Sequence, residues 1–409
     1  HNMIIDIVKS NFKIIIFGFI FTLFSSVGQS YFIGLFNYSV RNEINISHGD
    51  FGNLYAIATL CSSIALVWLG KKIDDIKLVN FSIFVVIFLA FSALFFSFVN
   101  STIFLLLGIF FLRLSGQGLM AHTATTSISR FFDRRRGKAL SIIWLGLSAA
   151  EFLLPVIIVF FLSFMEWRII WIGIAIITLL FLPIFSYHMV KDINIFSRDK
   201  DYYNKINTKI KNWTRKEVLL DFKFYTMLPA LLAPAAIITG IFVYQSFIVE
   251  SKRWGIYVLP TAFMVYSITS VVILFASGYL VDKFSSSKIL PFLNLPLLFS
   301  LIVLIFYNHH YSAYIIMFFV GATNGLANVL LSSLWAEIYG VRHLGAIRAL
   351  STSLMVFSTA LGTAVFGSLI DFGYSIENIA AACAVYTTIS IVLVLIFQKI
   401  YKPTLENKT

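Results

Sequence analysis

Charge is scarce in this chain: 12% of its 409 residues are Asp, Glu, Lys or Arg, against 59% hydrophobic and 17% aromatic. A water-soluble domain of this length cannot cover its surface with so few charges, so that class is excluded. Cysteine is nearly absent. Cys61 and Cys383 each stand inside an apolar run, which excludes a disulfide scaffold and reads as small core residues. Long polar stretches are missing too. Apart from one basic connection at 190–222, every gap between apolar runs is short, leaving no room for a soluble catalytic, nucleotide-binding or sensory domain. No Gly-x-x-x-x-Gly-Lys-Ser/Thr run occurs, so ATP-driven work by this chain alone is unsupported. Gly116-Gln117-Gly118 is no dinucleotide fingerprint, because the third glycine, a preceding strand and a following acid are lacking. No metal cluster, activated nucleophile or acid/base pair appears. The chain is therefore expected not to be an enzyme and to need no cofactor or metal.

What is present is apolar length. A membrane-spanning helix needs about 20 apolar residues. Twelve candidates occur, at 12–36, 52–70, 79–99, 102–129, 139–163, 167–189, 224–249, 257–281, 289–307, 312–337, 346–370 and 378–400. Backbone polar groups cannot go unpaired in lipid, so these runs are helices or strands of a closed barrel. Their apolar continuity, without alternation, excludes the barrel. The expected fold is an all-α integral membrane protein with twelve transmembrane helices. His1-Asn2 ahead of Met3 reads as an added remnant. The first run is too long for a removed signal peptide and lacks a cleavage site, so it is expected to stay as a span.

The net charge of +12 is distributed by topology. With the N-terminus cytoplasmic, all lysines and arginines fall on the cytoplasmic side except Arg41, Arg168, Lys252, Arg253 and the intramembrane Arg113. That pattern predicts both termini in the cytoplasm. It assigns the basic clusters to anionic headgroups rather than to nucleic acid.

The chain repeats itself. Gly70-Lys-Lys-Ile-Asp74 ends the second run, and Gly278-Tyr-Leu-Val-Asp282-Lys283 ends the eighth, 208 residues later. Lys138-Ala-Leu-Ser141 is echoed by Arg348-Ala-Leu-Ser351 at an offset of 210. Two matches in near-constant register predict two similar halves, a pattern of secondary transporters whose site lies where repeats meet. The expected division is 1–189, a linker at 190–222 with a short surface helix within 198–217 and Trp213 at headgroup level, and 223–409.

Twelve runs in two sets of six, a central basic loop and a Gly-x-x-x-Asp loop after the second and eighth runs resemble the major facilitator superfamily along essentially the whole chain. Gly278-Tyr-Leu-Val-Asp282-Lys283-Phe284 is a good copy of that family's loop signature. Gly70-Lys-Lys-Ile-Asp74-Asp75 is a degraded one, with Asp75 where a basic residue is usual. Gly28-Gln29-Ser-Tyr31 and Tyr339-Gly-Val-Arg342-His-Leu-Gly345-Ala-Ile-Arg348 are similar to bacterial members near the oxalate/formate exchangers and monocarboxylate transporters. The resemblance implies a major facilitator fold of two pseudo-symmetric six-helix bundles. It also implies alternating access by two rocking halves, a bacterial inner membrane and a monomer. Those carboxylate carriers bring a cation into the cavity from the eighth or eleventh helix. Here the eighth run has none between Tyr257 and Val281, and the eleventh carries only Arg348 at its cytoplasmic end.

Physics assigns the loop residues a gating role. Gly70 and Gly278 let helices approach closely. Asp74 and Asp282 can accept from the exposed N–H groups of a neighbouring helix start. Arg134, Arg135, Arg136 and Arg342 supply countercharge, and Glu337 and Arg348 complete the candidate gate. The competing reading is that the arginines only set topology.

Arg113 is the costliest residue, about eleven positions into the fourth run and so near the midplane at about 1.5 Å per residue. A charge there counts as functional, with a partner to be named. Glu151 lies at similar depth in the antiparallel fifth run and is the expected partner. Arg113-x-x-Gly116-x-Gly118 also resembles a fourth-helix signature of the family with its glycines displaced by one position. A static Arg113–Glu151 pair is the structural alternative to substrate or proton coupling. Gln117 shares the face of Arg113. His122 stands about half a turn away and is read as a packing residue or a proton carrier. Gln29, Tyr31, Tyr244, Gln245, Asn324 and Asn328 lie on the first, seventh and tenth runs, which line the cavity in the family resembled. They either orient a polar solute or act as interhelical glue worth about 0.6 kcal/mol per bond.

These residues predict a proton- or exchange-coupled carrier of a small organic solute, with a carboxylate or other organic anion first. A proton-driven exporter of amphipathic compounds, suggested by 43 phenylalanines, and a non-transporting receptor or subunit are the alternatives.

Overall fold

The computed structural model describes residues 11–132, 136–195, 210–340 and 343–405. The chain divides into two compact units between Tyr202 and Tyr203. Eleven helices among the described residues are long and apolar enough to cross a membrane. The expected first span is the exception. Its apolar part, Phe12–Gly28, is shorter, because the helix breaks after Ser25 and Gln29 turns extended at φ −83°, ψ 153°.

The N-terminal unit is built from α1 (Phe12–Ser25), α2 (Ser30–Leu35), α3 (Asn37–Ile44), α4 (His48–Gly70), α5 (Leu78–Ser97), α6 (Thr102–Leu112), α7 (Ala121–Phe131), α8 (Arg136–Leu162) and α9 (Trp167–Val190). A wide π-helical stretch, Arg113–Met120, joins α6 to α7 into one span. Starts are set by short polar side chains. Ser47 and Asp50 cap α4 reciprocally, and Ser101 accepts from Phe104 N–H at 3.4 Å. Asn45 closes α3 in the left-handed region at φ 61°, which its short amide side chain tolerates.

Helix contacts in this unit depend on missing side chains. Gly18 lies under Ile143, and a Cβ on Gly146 would fall on the Phe19 carbonyl and Thr22 Oγ1. Thr22 Oγ1 also donates to the Ile143 carbonyl, so α1 and α8 are in backbone contact. At one end Phe96, Phe32 and Phe36 surround Trp171, with ring centroids 4.6 to 5.5 Å away. Large apolar side chains such as Val67, Trp68, Leu180 and Ile184 point outward, as lipid contact requires.

The C-terminal unit holds α10 (Arg215–Leu219), α11 (Phe222–Val243), α12 (Gln245–Lys252), α13 (Val258–Phe284), α14 (Ser286–Ile289), α15 (Leu295–Phe306), α16 (Tyr311–Tyr339), α17 (Leu344–Asp371) and α18 (Ile376–Phe397). Helices α13 and α16 pack closely, with Gly321 against the Tyr266 carbonyl and Gly325 against that of Ser270. Of the expected surface helix, the described part is the five-residue α10, capped by Thr214 and Glu217; residues 196–209 lie outside the described residues. Trp213 N–H donates to the Tyr339 carbonyl at 2.9 Å, so the linker's end is pinned to this unit. Lys211, 2.6 Å from Glu217, holds that carboxyl below the usual carboxylate range.

Two glycines separate tight packing from open space. Gly146→Ala is expected to lower stability by about 1–3 kcal/mol, because its methyl has no room. Gly173→Ala, with nothing within 4 Å of its Cβ, is expected to leave it unchanged or raise it by up to about 1 kcal/mol. Thermal unfolding of both variants in detergent checks the contrast.

Candidate functional site

The break in the first span and the π-helical stretch of the fourth meet at two glycines. A Cβ on Gly28 would lie 2.9 Å from Gly116 Cα, and one on Gly116 would lie 2.8 Å from Gly28 Cα. Only glycine at both places permits this approach. The break leaves the Gly28 carbonyl without a helical donor, and Arg113 Nη1 supplies one at 2.9 Å. The Arg113 guanidinium lies over the Tyr55 ring, 5.2 Å from its centroid. An arginine can thus be retained at this depth because a broken helix and an aromatic face solvate part of it.

Part of the guanidinium stays available. Arg113 is only 6% exposed, yet among the described residues its Nε has no protein acceptor, and the buried hydroxyls of Ser26 and Tyr55 form no well-aligned hydrogen bond, although Tyr31 lies beside Ser26 and Ser30 beside Tyr55. The expected partner is not in place. Glu151, 8% exposed, forms neither a hydrogen bond nor an ion pair among the described residues. It lies within electrostatic reach of Tyr31 instead. The static Arg113–Glu151 pair is therefore not what holds this half together. Equal depth was a sound deduction, but a carbonyl exposed by the helix break satisfies the arginine first. Pro155, four residues after Glu151 in α8, removes the helical donor that the Glu151 carbonyl would otherwise receive. Gln29 and Gln117 flank the site half-buried, with no side-chain hydrogen bond among the described residues.

His122 belongs to a different place. Its Nε2 lies 2.8 Å from the Gly70 carbonyl, and its Nδ1 lies 3.4 Å from Thr126 Oγ1. A carbonyl only accepts, so Nε2 carries the proton, and the ring ties α7 to the end of α4. A Cβ on Gly70 would sit 3.1 Å from His122 Nε2, so this glycine does make a close contact. Gly278 makes none, and Asp282 is exposed and forms no hydrogen bond or ion pair among the described residues. Of the two loop glycines, Gly70 is the one packed against a neighbour. Capping of a neighbouring helix start is done by Glu337, which accepts from Ser286 N–H at 2.7 Å and Ser287 Oγ at 2.9 Å. Arg348 is exposed on α17. Arg134, Arg135 and Arg342, and the side chains of Asp74 and Arg136, lie outside the described residues.

Several candidates in the C-terminal unit are committed to neighbours. Tyr244 Oη donates to the Thr363 carbonyl at 2.8 Å, and Gln245 Nε2 donates to the Phe242 carbonyl at 2.8 Å. Asn324 Nδ2 donates to Ser270 Oγ at 3.3 Å, and Asn328 also has a partner. Sequence reasoning passed over Asn294, whose Nδ2 donates to the Ala230 carbonyl at 2.8 Å. Pro234, four residues on, cannot serve that carbonyl. The signal was legible: an amide inside an apolar run, opposite a run with an internal proline. Lys252 was also missed. It is buried, and its Nζ donates to the carbonyls of Leu304 and Tyr307 and to Asn308 Oδ1.

Replacing Arg113 tests whether it supports the helix break. Arg113→Met leaves the Gly28 carbonyl unpaired and is expected to cost about 1–3 kcal/mol. Arg113→Lys keeps a donor and is expected to cost less. Equal melting temperatures for the two variants would contradict this role.

A family model described as Major Facilitator Superfamily matches residues 18–363 and again 255–409. No curated protein matches the sequence. Among solved structures, a bacterial homolog to the human lysosomal transporter Spinster, inward-facing and unoccupied, has a TM-score of 0.66 at 13% identity, covering 95% of this chain and 95% of that one. The nucleoside transporter NupG has a TM-score of 0.69 at 12% identity, covering 96% of this chain and 100% of its own. At such identities the likeness speaks for the fold alone. The family match, which runs through both halves, carries the assignment: the chain belongs to the Major Facilitator Superfamily of membrane transporters.

Proposed function

We propose that this transporter carries a small organic anion of monocarboxylate type, and that Glu151 exchanges a proton during its cycle. The observation that supports the reading is the separation of Arg113 from Glu151 inside one half. Among the described residues, a cation whose Nε has no acceptor and a carboxylate with no partner are held apart in a buried setting. A solute carboxylate would take the Nε–H of Arg113 together with the hydroxyls of Tyr55 and Ser26, and Gln29 and Gln117 would orient the remainder. Glu151, beside Tyr31, is free to bind and release a proton without breaking an ion pair. Proton coupling places it as the group whose charge must change between loaded and empty states.

The resemblance to oxalate/formate exchangers and monocarboxylate carriers points the same way, although the cation sits on the fourth helix rather than the eighth or eleventh. The distribution of Lys and Arg supports cytoplasmic termini, and the resemblance to bacterial carriers points to an inner membrane.

Flux into proteoliposomes containing only this chain tests the reading. Uptake of labelled acetate, lactate or oxalate is expected to rise with an imposed proton gradient and to be competed by the other carboxylates rather than by hydrophobic cations. Glu151→Gln is expected to remove the dependence on the gradient while leaving the melting temperature intact. Arg113→Gln is expected to weaken solute binding at least about tenfold, the loss of about 1.4 kcal/mol. Gradient-dependent uptake that survives Glu151→Gln would sink the proposal.

A further inference from the structure

At the end of the N-terminal unit opposite Phe12, three helix ends are tied by charge. Glu43 ends α3, Arg168 begins α9 and Ser97 ends α5. Arg168 Nη2 pairs with Glu43 Oε1 at 2.9 Å, its Nη1 donates to the Ser97 carbonyl at 2.7 Å, and Trp167 Nε1 donates to Glu43 Oε2. The C-terminal unit ties the matching ends at its end opposite Phe222. Lys252 ends α12, Glu377 begins α18 and Leu304 lies in the last turn of α15. Lys252 Nζ pairs with Glu377 Oε1 at 3.1 Å and donates to the Leu304 and Tyr307 carbonyls.

The positions correspond: Lys252 stands 209 residues after Glu43, and Glu377 stands 209 after Arg168. That offset falls between the 208 and 210 of the repeated loop motifs. The two clamps therefore occupy one place in the repeat with opposite polarity. The acid is on the first helix and the base on the sixth in one half; the base is on the first and the acid on the sixth in the other. In both, whichever residue is the base also satisfies carbonyls at the end of the third helix, which have no helical donor of their own.

We propose that this reversed polarity is an assembly code that keeps the two halves from exchanging helices while the chain folds. Two bundles descended from one pattern present similar docking faces, so α18 can compete for the place of α9. In the exchanged arrangement Glu377 would meet Glu43, and Arg168 would meet the fully buried Lys252. One half would hold two acids and no donor for the end of α5; the other would hold two bases side by side. Glu43 and Glu377 keep much of their surface in water, so their repulsion is screened, and the cost of exchange falls chiefly on the fully buried Lys252 facing Arg168 and on the carbonyl end of α5 left without a donor.

The code is tested by removing the difference while keeping each clamp. The variant E43K/R168E gives the N-terminal clamp the polarity of the C-terminal one, and E43K/R168E/K252E/E377R then inverts both. Each is expressed as the full chain, and the monodisperse fraction from membranes and the melting temperature of that fraction are measured. E43K alone is expected to lower both quantities. E43K/R168E is expected to melt within about 4 °C of the parent chain yet give less monodisperse protein. The fourfold variant is expected to regain monodisperse protein, because the polarities differ again. A merely structural role predicts the reverse order, since the fourfold variant disturbs two clamps and the twofold only one. A parent-like monodisperse fraction for E43K/R168E, or no recovery in the fourfold variant, overturns the proposal.

Discussion

Every break in a membrane helix exposes a carbonyl that lipid cannot satisfy, and the placement of polar side chains in this protein follows from that constraint. The Gly28 carbonyl is met by Arg113, the Gly70 carbonyl by His122, the Ala230 carbonyl by Asn294 and the end of α15 by Lys252. These residues belong to no common motif and come from different helices. What they share is a partner: each faces a main-chain oxygen left open by a break, a proline or a helix end. In each of these four cases a buried donor is spent on architecture.

The exceptions therefore carry weight. Among the described residues Arg113 Nε has no acceptor, and Glu151 has neither a hydrogen-bond donor nor an ion-pair partner. Both belong to the N-terminal unit. In the C-terminal unit Tyr244, Gln245 and Asn324 are engaged with neighbours. The two units thus share one plan, and the buried charges without an ion pair among the described residues, Arg113 and Glu151, both lie in the first.

Apolar length and the repeat made the spans and the two-part plan legible, and the cost of a midplane charge singled out Arg113. What escaped was azimuth and local winding. Depth along two antiparallel helices placed Arg113 and Glu151 level, but nothing in the spacing showed that the first helix would break at Gly28 and offer a nearer acceptor. The loop signature shows the same limit: a match at Gly278-Tyr-Leu-Val-Asp282 describes residue types, and spacing alone did not reveal that Gly70 lies against His122 while a Cβ on Gly278 would meet nothing within 4 Å. Glu337 and Asn294 act on carbonyls and amides of other helices, which one run of letters does not reveal.

The wide winding from Arg113 to Met120 has a consequence for reading relatives of this chain. A turn closed by i→i+5 bonds holds one residue more than an ordinary helical turn. Such a residue is absorbed without lengthening the span, yet it advances the phase of everything after it. Arg113-x-x-Gly116-x-Gly118, which resembles the family's fourth-helix signature with its glycines displaced by one position, lies wholly within this stretch, so its residues follow a wider angular spacing than an ordinary helix would give them.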